Sequence, residues 1–190
     1  MEKYKGLSFT RLRVRLNLVL VLLLILVSRP SSPRFMLIGT MLAGLGESLR
    51  IWAAGHLKKG EALTVSGPYA YTRNPLYLGS AVIGLGFCVA SFSATRLINT
   101  VLVWSLIIAG YCIIYFVQIR REEEFLKETY KEEYETYGKN VPSLFPLLVF
   151  SGRGERERFS MKRAIKNKEY KTVFAVTSVF LILLFRLICS

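Results

Sequence analysis

Aspartate is missing altogether from these 190 residues, and histidine occurs once, at His56. Without Asp the chain holds no Ser-His-Asp triad and no magnesium site built on Asp motifs, and one His cannot make a multi-His zinc centre. Cysteine is scarce too: Cys88, Cys112 and Cys189 lie in apolar runs without C-x-x-C spacing. They read as small buried hydrophobes rather than ligands or disulfides. An enzyme built from this chain must therefore borrow its reactivity from a cofactor or a substrate. All 13 acidic residues are Glu, and most crowd into the basic stretch after residue 118, where solvation or ion pairing is their ordinary fate.

What the chain has in abundance is apolar sequence. Hydrophobic residues make up 52% and the mean hydropathy is +0.37. They gather into runs over residues 12–28, 35–55, 76–94, 97–117 and 172–189, each near the ~20 residues a helix needs to cross a ~30 Å hydrocarbon core. The expected fold class is an all-α integral membrane protein with five transmembrane helices. The first run follows a basic stretch as a signal segment would, but SRPSSPR comes next and no small-x-small cleavage site follows, so it reads as a retained helix.

Lys and Arg number 26, for a net charge of +13. Twenty-one of them fall in the N-terminal tail, in the 56–75 loop and in the 118–171 segment, against Arg29, Arg34 and Arg96 in the opposite loops. By the positive-inside rule the N-terminus and the loops rich in cations are cytoplasmic, and the C-terminus lies on the other side. Arg50 and Arg186, near helix ends, are expected to snorkel to the interface. Because the excess charge, including GRGERERFSMKRAIKNKEYK at 152–171, lies on one side of the membrane, the expected partner is anionic lipid and not nucleic acid.

Two polar islands interrupt the apolar runs on that side. The first is HLKKGEALTVSGPYAYTRNPLY at 56–77. Ser66-Gly67-Pro68 signals a turn, and Asn74-Pro75 starts a helix, with Asn74 placed to cap it and Pro75 at its first position. The free N–H groups of that helix start suit a carboxylate or a hydroxyl, and Arg73 adds a cation beside them. On composition alone, Tyr69, Tyr71 and Tyr77 fit an interfacial aromatic belt equally well. The second island, QIRREEEFLKETYKEEYETYGKNVPSLFP at 118–146, extends the fourth helix beyond the membrane. Glu122, Glu123 and Glu124 project at ~100° steps, so one or two face a pocket while another faces water. The short SFSATR connection makes the third and fourth spans antiparallel neighbours, so the two islands are expected to meet.

Taken together, G-x-Y-x-x-x-R-[HN]-P-x-Y-x-G at 67–79, a span pair, an Arg with a Glu run, and E-E-Y-x-x-Y-x-x-x-V-P at 132–142 resemble the isoprenylcysteine carboxyl methyltransferase family; the phospholipid N-methyltransferases share the layout. The resemblance covers about residues 56–146. It implies S-adenosylmethionine bound at the cytoplasmic face, in a pocket of helix ends and loops, and methyl transfer to a lipophilic or lipidated substrate entering from the bilayer. Glu61, Ala62, Leu63 and Thr64 match a strand-like stretch that contacts the cofactor through its backbone, and Tyr69, Asn74, Pro75, Leu76 and Tyr77 match further cofactor contacts. Glu123, or its neighbour Glu122 or Glu124, matches the family's cofactor-side Glu, and Arg120 its substrate-side cation, which makes Arg120 and Glu123 the expected catalytic pair. Asn74 departs from the His usual there and loses a titratable group.

The resemblance also fits the absences. A methyl sulfonium carries its own leaving group, and in-line placement alone can supply ~7–11 kcal/mol of such a barrier. Membrane sterol reductases using NADPH carry similar motifs, and a non-catalytic lipid-binding protein is the other alternative. The expected organisation is a two-span region at 1–55, a methyltransferase core at 56–146, a basic interfacial segment at 147–171 and a last transmembrane helix at 172–190.

Overall fold

In the computed structural model of the chain, the described residues are 16–146 and 157–189. The basic N-terminal tail, the start of the first apolar run and residues 147–156 of the basic segment lie outside them. Six α-helices follow in order: α1 (Leu16–Val27), α2 (Pro33–His56), α3 (Pro75–Ala90), α4 (Leu97–Asn140), α5 (Met161–Lys166) and α6 (Tyr170–Ile188). No strand occurs among the described residues.

The all-helical expectation holds among the described residues, and the helices sort by length and composition. α4 and α6 are long and apolar enough to cross a membrane, and only 17% and 11% of their most apolar windows are buried inside the protein. The central helix of a soluble domain would be mostly enclosed; these present Ile98, Phe174 and Ile188 outward, each more than 75% exposed. α1, over its described residues, and α3 are apolar but shorter. At 1.5 Å per residue the 16 residues of α3 reach about 24 Å. α2 is long enough at 24 residues but carries Arg34, Glu47, Arg50 and His56.

α2 and α3 lie against each other through glycine. A Cβ on Gly39 would stand 2.4 Å from the Gly86 carbonyl oxygen, and one on Gly46 would stand 2.6 Å from that of Gly79; the reverse approaches, from Gly86 and Gly79, are 2.6 and 2.7 Å. Two reciprocal pairs, seven residues apart on each helix, bring the backbones together as small residues do between helices in lipid. Around this seam Ile83 and Phe87 of α3 join Leu183 of α6 and Leu24 of α1 in one apolar core.

Local signals set the ends. Pro33 and Pro75 occupy the first helical turns of α2 and α3, where the missing N–H costs nothing. Asn74 precedes α3 without a side-chain cap bond, against expectation, because its amide is engaged elsewhere. α4 runs 44 residues, far past the apolar run, and breaks at Lys131 (φ 43°, ψ −118°). Beyond that break residues 132–142 turn back over the first polar island.

A buried network fastens α6 to α2 and α3. Arg50 Nε donates to Glu169 Oε1 at 2.7 Å, its Nη1 donates to the Leu76 carbonyl at 3.1 Å and to Ser80 Oγ at 2.5 Å, and its Nη2 reaches Thr172 Oγ1 at 3.3 Å. The expectation that Arg50 snorkels is thus overturned: it has four acceptors inside the bundle and turns inward. Arg186 likewise donates to the Ile25 carbonyl of α1.

Candidate functional site

The polar loop after α2, the outer part of α4 and α5 gather at one end of the bundle. Asn167 donates to the Ala54 and Leu57 carbonyls at 2.9 and 3.1 Å, and the Ser160 amide donates to the Gly55 carbonyl at 3.1 Å. His56 is buried beneath this loop, with its Nδ1–H donating to the Trp52 carbonyl at 2.9 Å. Gly67 closes over the ring: its φ is +60°, and a Cβ there would stand 2.6 Å from the imidazole. Both the left-handed backbone and the contact require glycine.

At this end the two polar islands meet, as the short connection between α3 and α4 implies. Tyr77 donates its hydroxyl to Glu122 Oε1 at 2.6 Å, and Gln118 Nε2 donates to the same oxygen at 2.8 Å. One residue on, Glu123 Oε1 accepts from Asn74 Nδ2 at 3.3 Å and from Ser143 Oγ at 2.7 Å and pairs with Arg73 Nη2 at 3.2 Å. Tyr77 and Asn74 thereby reach these carboxylates across 45 and 49 positions of chain, with the 100° step between Glu122 and Glu123 dividing the two sets of partners.

The segment after the kink locks the first island from above. The Arg73 amide donates to the Pro142 carbonyl at 2.9 Å. Thr72 Oγ1 donates to the Ser143 and Leu144 carbonyls at 3.1 and 3.0 Å, and Tyr137 donates its hydroxyl to the Tyr69 carbonyl at 2.7 Å. Burial pushes the Tyr134 phenol up to about 12, with the charge of Glu123 adding to it, and raises those of Tyr69 and Tyr137 further. These hydroxyls stay protonated at neutral pH. On the inner side, the Tyr77 ring meets Tyr115 edge-on at 5.1 Å, and Tyr115 stacks on Tyr111 at 4.1 Å.

Other expected site residues stand apart from this cluster. Arg120 is exposed, with its guanidinium 4.4 Å above the Phe116 ring; the cation beside Glu123 is Arg73. Glu124 is exposed as well, and so is Glu122 despite its bonds to Tyr77 and Gln118. The stretch Glu61, Ala62, Leu63, Thr64 is a turn and irregular coil, because no second strand among the described residues offers it a ladder. Glu61 pairs with Lys166 at 2.8 Å, Ala62 is exposed and Leu63 half-buried, and Thr64 Oγ1 accepts from the Lys58 amide at 3.0 Å. Pro75 is buried in the first turn of α3, and Leu76 is half-buried behind it. Ser143 and Gln118 escaped the sequence reading: Ser143 sits in an unremarkable loop, and Gln118 one turn ahead of the Glu run.

The acceptors here suit a cationic amino group. Gln118 Oε1 is buried without a hydrogen-bond partner, and its amide nitrogen is already bonded to Glu122. A carboxylate and an orphaned carbonyl oxygen side by side form an acceptor pair that an ammonium would satisfy. S-adenosylmethionine carries such a group, so these two acceptors fit that part of the cofactor.

Residues 34–141 match the family model described as a protein of unknown function, DUF1295. This is more than half of the chain, and the protein belongs to that family. Among curated proteins it is similar to the cobalt-zinc-cadmium resistance protein CzcN of Cupriavidus metallidurans, 29% identical over 128 residues, or 65% of this chain and 54% of that protein. It is similar also to the protein-S-isoprenylcysteine O-methyltransferase of Schizosaccharomyces pombe, 30% identical over 129 residues, or 64% of this chain and 51% of that protein. A nickel-cobalt-cadmium resistance protein, NccN, of Alcaligenes xylosoxydans xylosoxydans is 26% identical over 116 residues, or 59% of this chain and 48% of that protein. The chain spans about half the length of these curated relatives. No solved structure matches it.

Proposed function

We propose that this member of the DUF1295 family is an integral membrane methyltransferase that uses S-adenosylmethionine and a lipophilic acceptor, a carboxylate of the prenylcysteine type or a lipid head group. The observation that carries the reading is the meeting of the two islands, in which Tyr77 holds Glu122 and Asn74 with Ser143 holds Glu123. The likeness to a protein-S-isoprenylcysteine O-methyltransferase supports it. In this reading the membrane is spanned five times, with the polar end cytoplasmic and the C-terminus opposite.

The bound cofactor supplies an electrophilic methyl group on a sulfonium that is its own leaving group. Glu122 and Gln118 receive the amino group, and Tyr77 fixes Glu122 from the other side so that the carboxylate keeps one orientation. Glu123, neutralised in part by Arg73, lends the pocket a fixed negative charge suited to a sulfonium. Tyr111 and Tyr115 wall the pocket toward the apolar bundle, from which an acceptor with a long hydrocarbon tail arrives. Arg120, exposed past the membrane end of α4, orients an anionic head group as it approaches.

Calorimetric titration of the detergent-purified chain with S-adenosylhomocysteine and, separately, with NADPH tests the reading, using wild type and Glu123→Ala. Binding of S-adenosylhomocysteine that the substitution weakens is the expected result; binding of NADPH alone, or of neither, refutes it.

A further inference from the structure

Beyond the Glu122–Glu123 cluster, the kink of α4 opens a cleft of about 240 Å³ lined by Arg73, Lys127, Tyr134, Glu135, Gly138 and Lys139. Three cations and one carboxylate surround it. Lys127 and Lys139 belong to none of the ion pairs among the described residues. Arg73 is shared between the two sites: its Nη2 pairs with Glu123 at 3.2 Å, its Nη1 lies 3.5 Å from the Tyr134 hydroxyl, and its Nε is buried with no partner. Room for this guanidinium is reserved by Gly138, since a Cβ there would stand 2.9 Å from Nη1. Tyr134 is almost wholly buried and accepts from Arg73, so its own O–H is left to donate.

We infer that this cleft binds a phosphate group, carried on a lipid head group or free in solution. A tetrahedral oxyanion accepts from several directions at once. Arg73, Tyr134 and the two lysines line the cleft from both sides of the kink, and that set of donors suits it. A carboxylate, with two oxygens in one plane, would leave part of this donor set unused. Arg73 stands two residues ahead of α3, so the cleft sits at the level where the apolar helices end, which is head-group depth for a lipid phosphate. The cleft shares Arg73 with the Glu122–Glu123 cluster, but it rests on its own lining and stands whether or not the methyl-transfer reading does.

The test uses the full chain in neutral detergent, titrated calorimetrically with short-chain phosphatidic acid, with inorganic phosphate and with the matching uncharged diacylglycerol. Lys127→Gln with Lys139→Gln should weaken phosphatidic acid binding about tenfold, as expected for two exposed charges, and leave S-adenosylhomocysteine binding and the melting temperature as in wild type. Glu135→Gln, which removes the one carboxylate in the cleft's lining, should strengthen binding. Tighter binding of phosphatidic acid than of inorganic phosphate assigns the group to a lipid, and equal binding assigns it to a soluble source. Equal affinity of wild type and the double-lysine variant for phosphatidic acid, or diacylglycerol binding as tightly as phosphatidic acid, overturns the inference. A loss of S-adenosylhomocysteine binding in the double-lysine variant also overturns it, because the cleft would then be part of the cofactor pocket.

Discussion

Replacing Gly46 by Ala puts one methyl group where two backbones touch. The new Cβ would lie 2.6 Å from the Gly79 carbonyl oxygen and 2.9 Å from the Ile83 amide nitrogen. An ordinary contact begins at 3.4 Å, so α2 and α3 must part by about 0.8 Å. No flexible side chain can absorb that shift at the Gly79 oxygen. Overpacking of this kind costs about 1–3 kcal/mol, against a gain of at most about 1 kcal/mol from replacing a helical glycine. Gly44, two residues earlier, has nothing within 4 Å of its Cβ position, so Gly44→Ala should collect the gain alone, roughly 0.5–1 kcal/mol. Melting in detergent should therefore move in opposite directions for two identical substitutions on one helix. Gly79 lies only two residues beyond Tyr77, so the displacement also reaches the site, and S-adenosylhomocysteine affinity should fall in Gly46→Ala, since misplacement by about 1 Å can cost on the order of a hundredfold. Gly46→Ala melting at or above the temperature of Gly44→Ala would refute the reasoning.

Tyr77→Phe removes one charge-assisted hydrogen bond to Glu122 and keeps the ring; calorimetry should show S-adenosylhomocysteine affinity reduced about tenfold or more, with the melting temperature nearly unchanged. Arg50→Met strands the buried Glu169, so it should destabilise the chain by about 3–5 kcal/mol, and adding Glu169→Leu should recover most of the loss; a double variant melting as low as the single one would contradict the pairing. Acid should loosen α5 from the 57–66 loop. Lys58, with Arg163 assisting, holds the Glu157 carboxyl below its usual range, and Lys166 does the same for Glu61. A depressed carboxyl contributes stability that is complete above the unfolded value near 4.3 and lost as pH falls below it. Hydrogen exchange of residues 157–166 should therefore quicken below about pH 4, and a profile flat to pH 3 would remove these pairs from the account.

The meeting of the islands was legible because SFSATR is too short for any arrangement but antiparallel neighbours, and because a Glu run at 100° steps must offer one carboxylate to each side. The long extension of α4 was legible from the continuity of charged helix formers. The bend within it was not: ETYKEEY contains neither Gly nor Pro, and Lys131 adopts its positive φ as Tyr134 and Val141 are buried and Tyr137 bonds to the other island. Arg50 was misread for a related reason. A lone cation near a helix end reads as a snorkeling anchor, and the partner that turns it inward lies 119 residues away. That Arg73 and not Arg120 pairs with Glu123 depends on which side of α4 each approaches, and sequence spacing is silent on that.

The Arg50–Glu169 pair has a consequence for how the chain is made. At roughly 5–20 residues per second, Arg50 leaves the ribosome several seconds before the acid that will neutralise it. In the five-span reading proposed above, Arg50 near the inner end of α2 carries part of the cost of an unpaired charge in a membrane helix, at most about 2.5–3.5 kcal/mol, so α2 and α3 wait at the aqueous border until α6 arrives. The last helix is then the step that commits the bundle. A nascent chain stopped short of residue 169 should stay extractable or prone to proteolysis, even though its polar islands have all been synthesised.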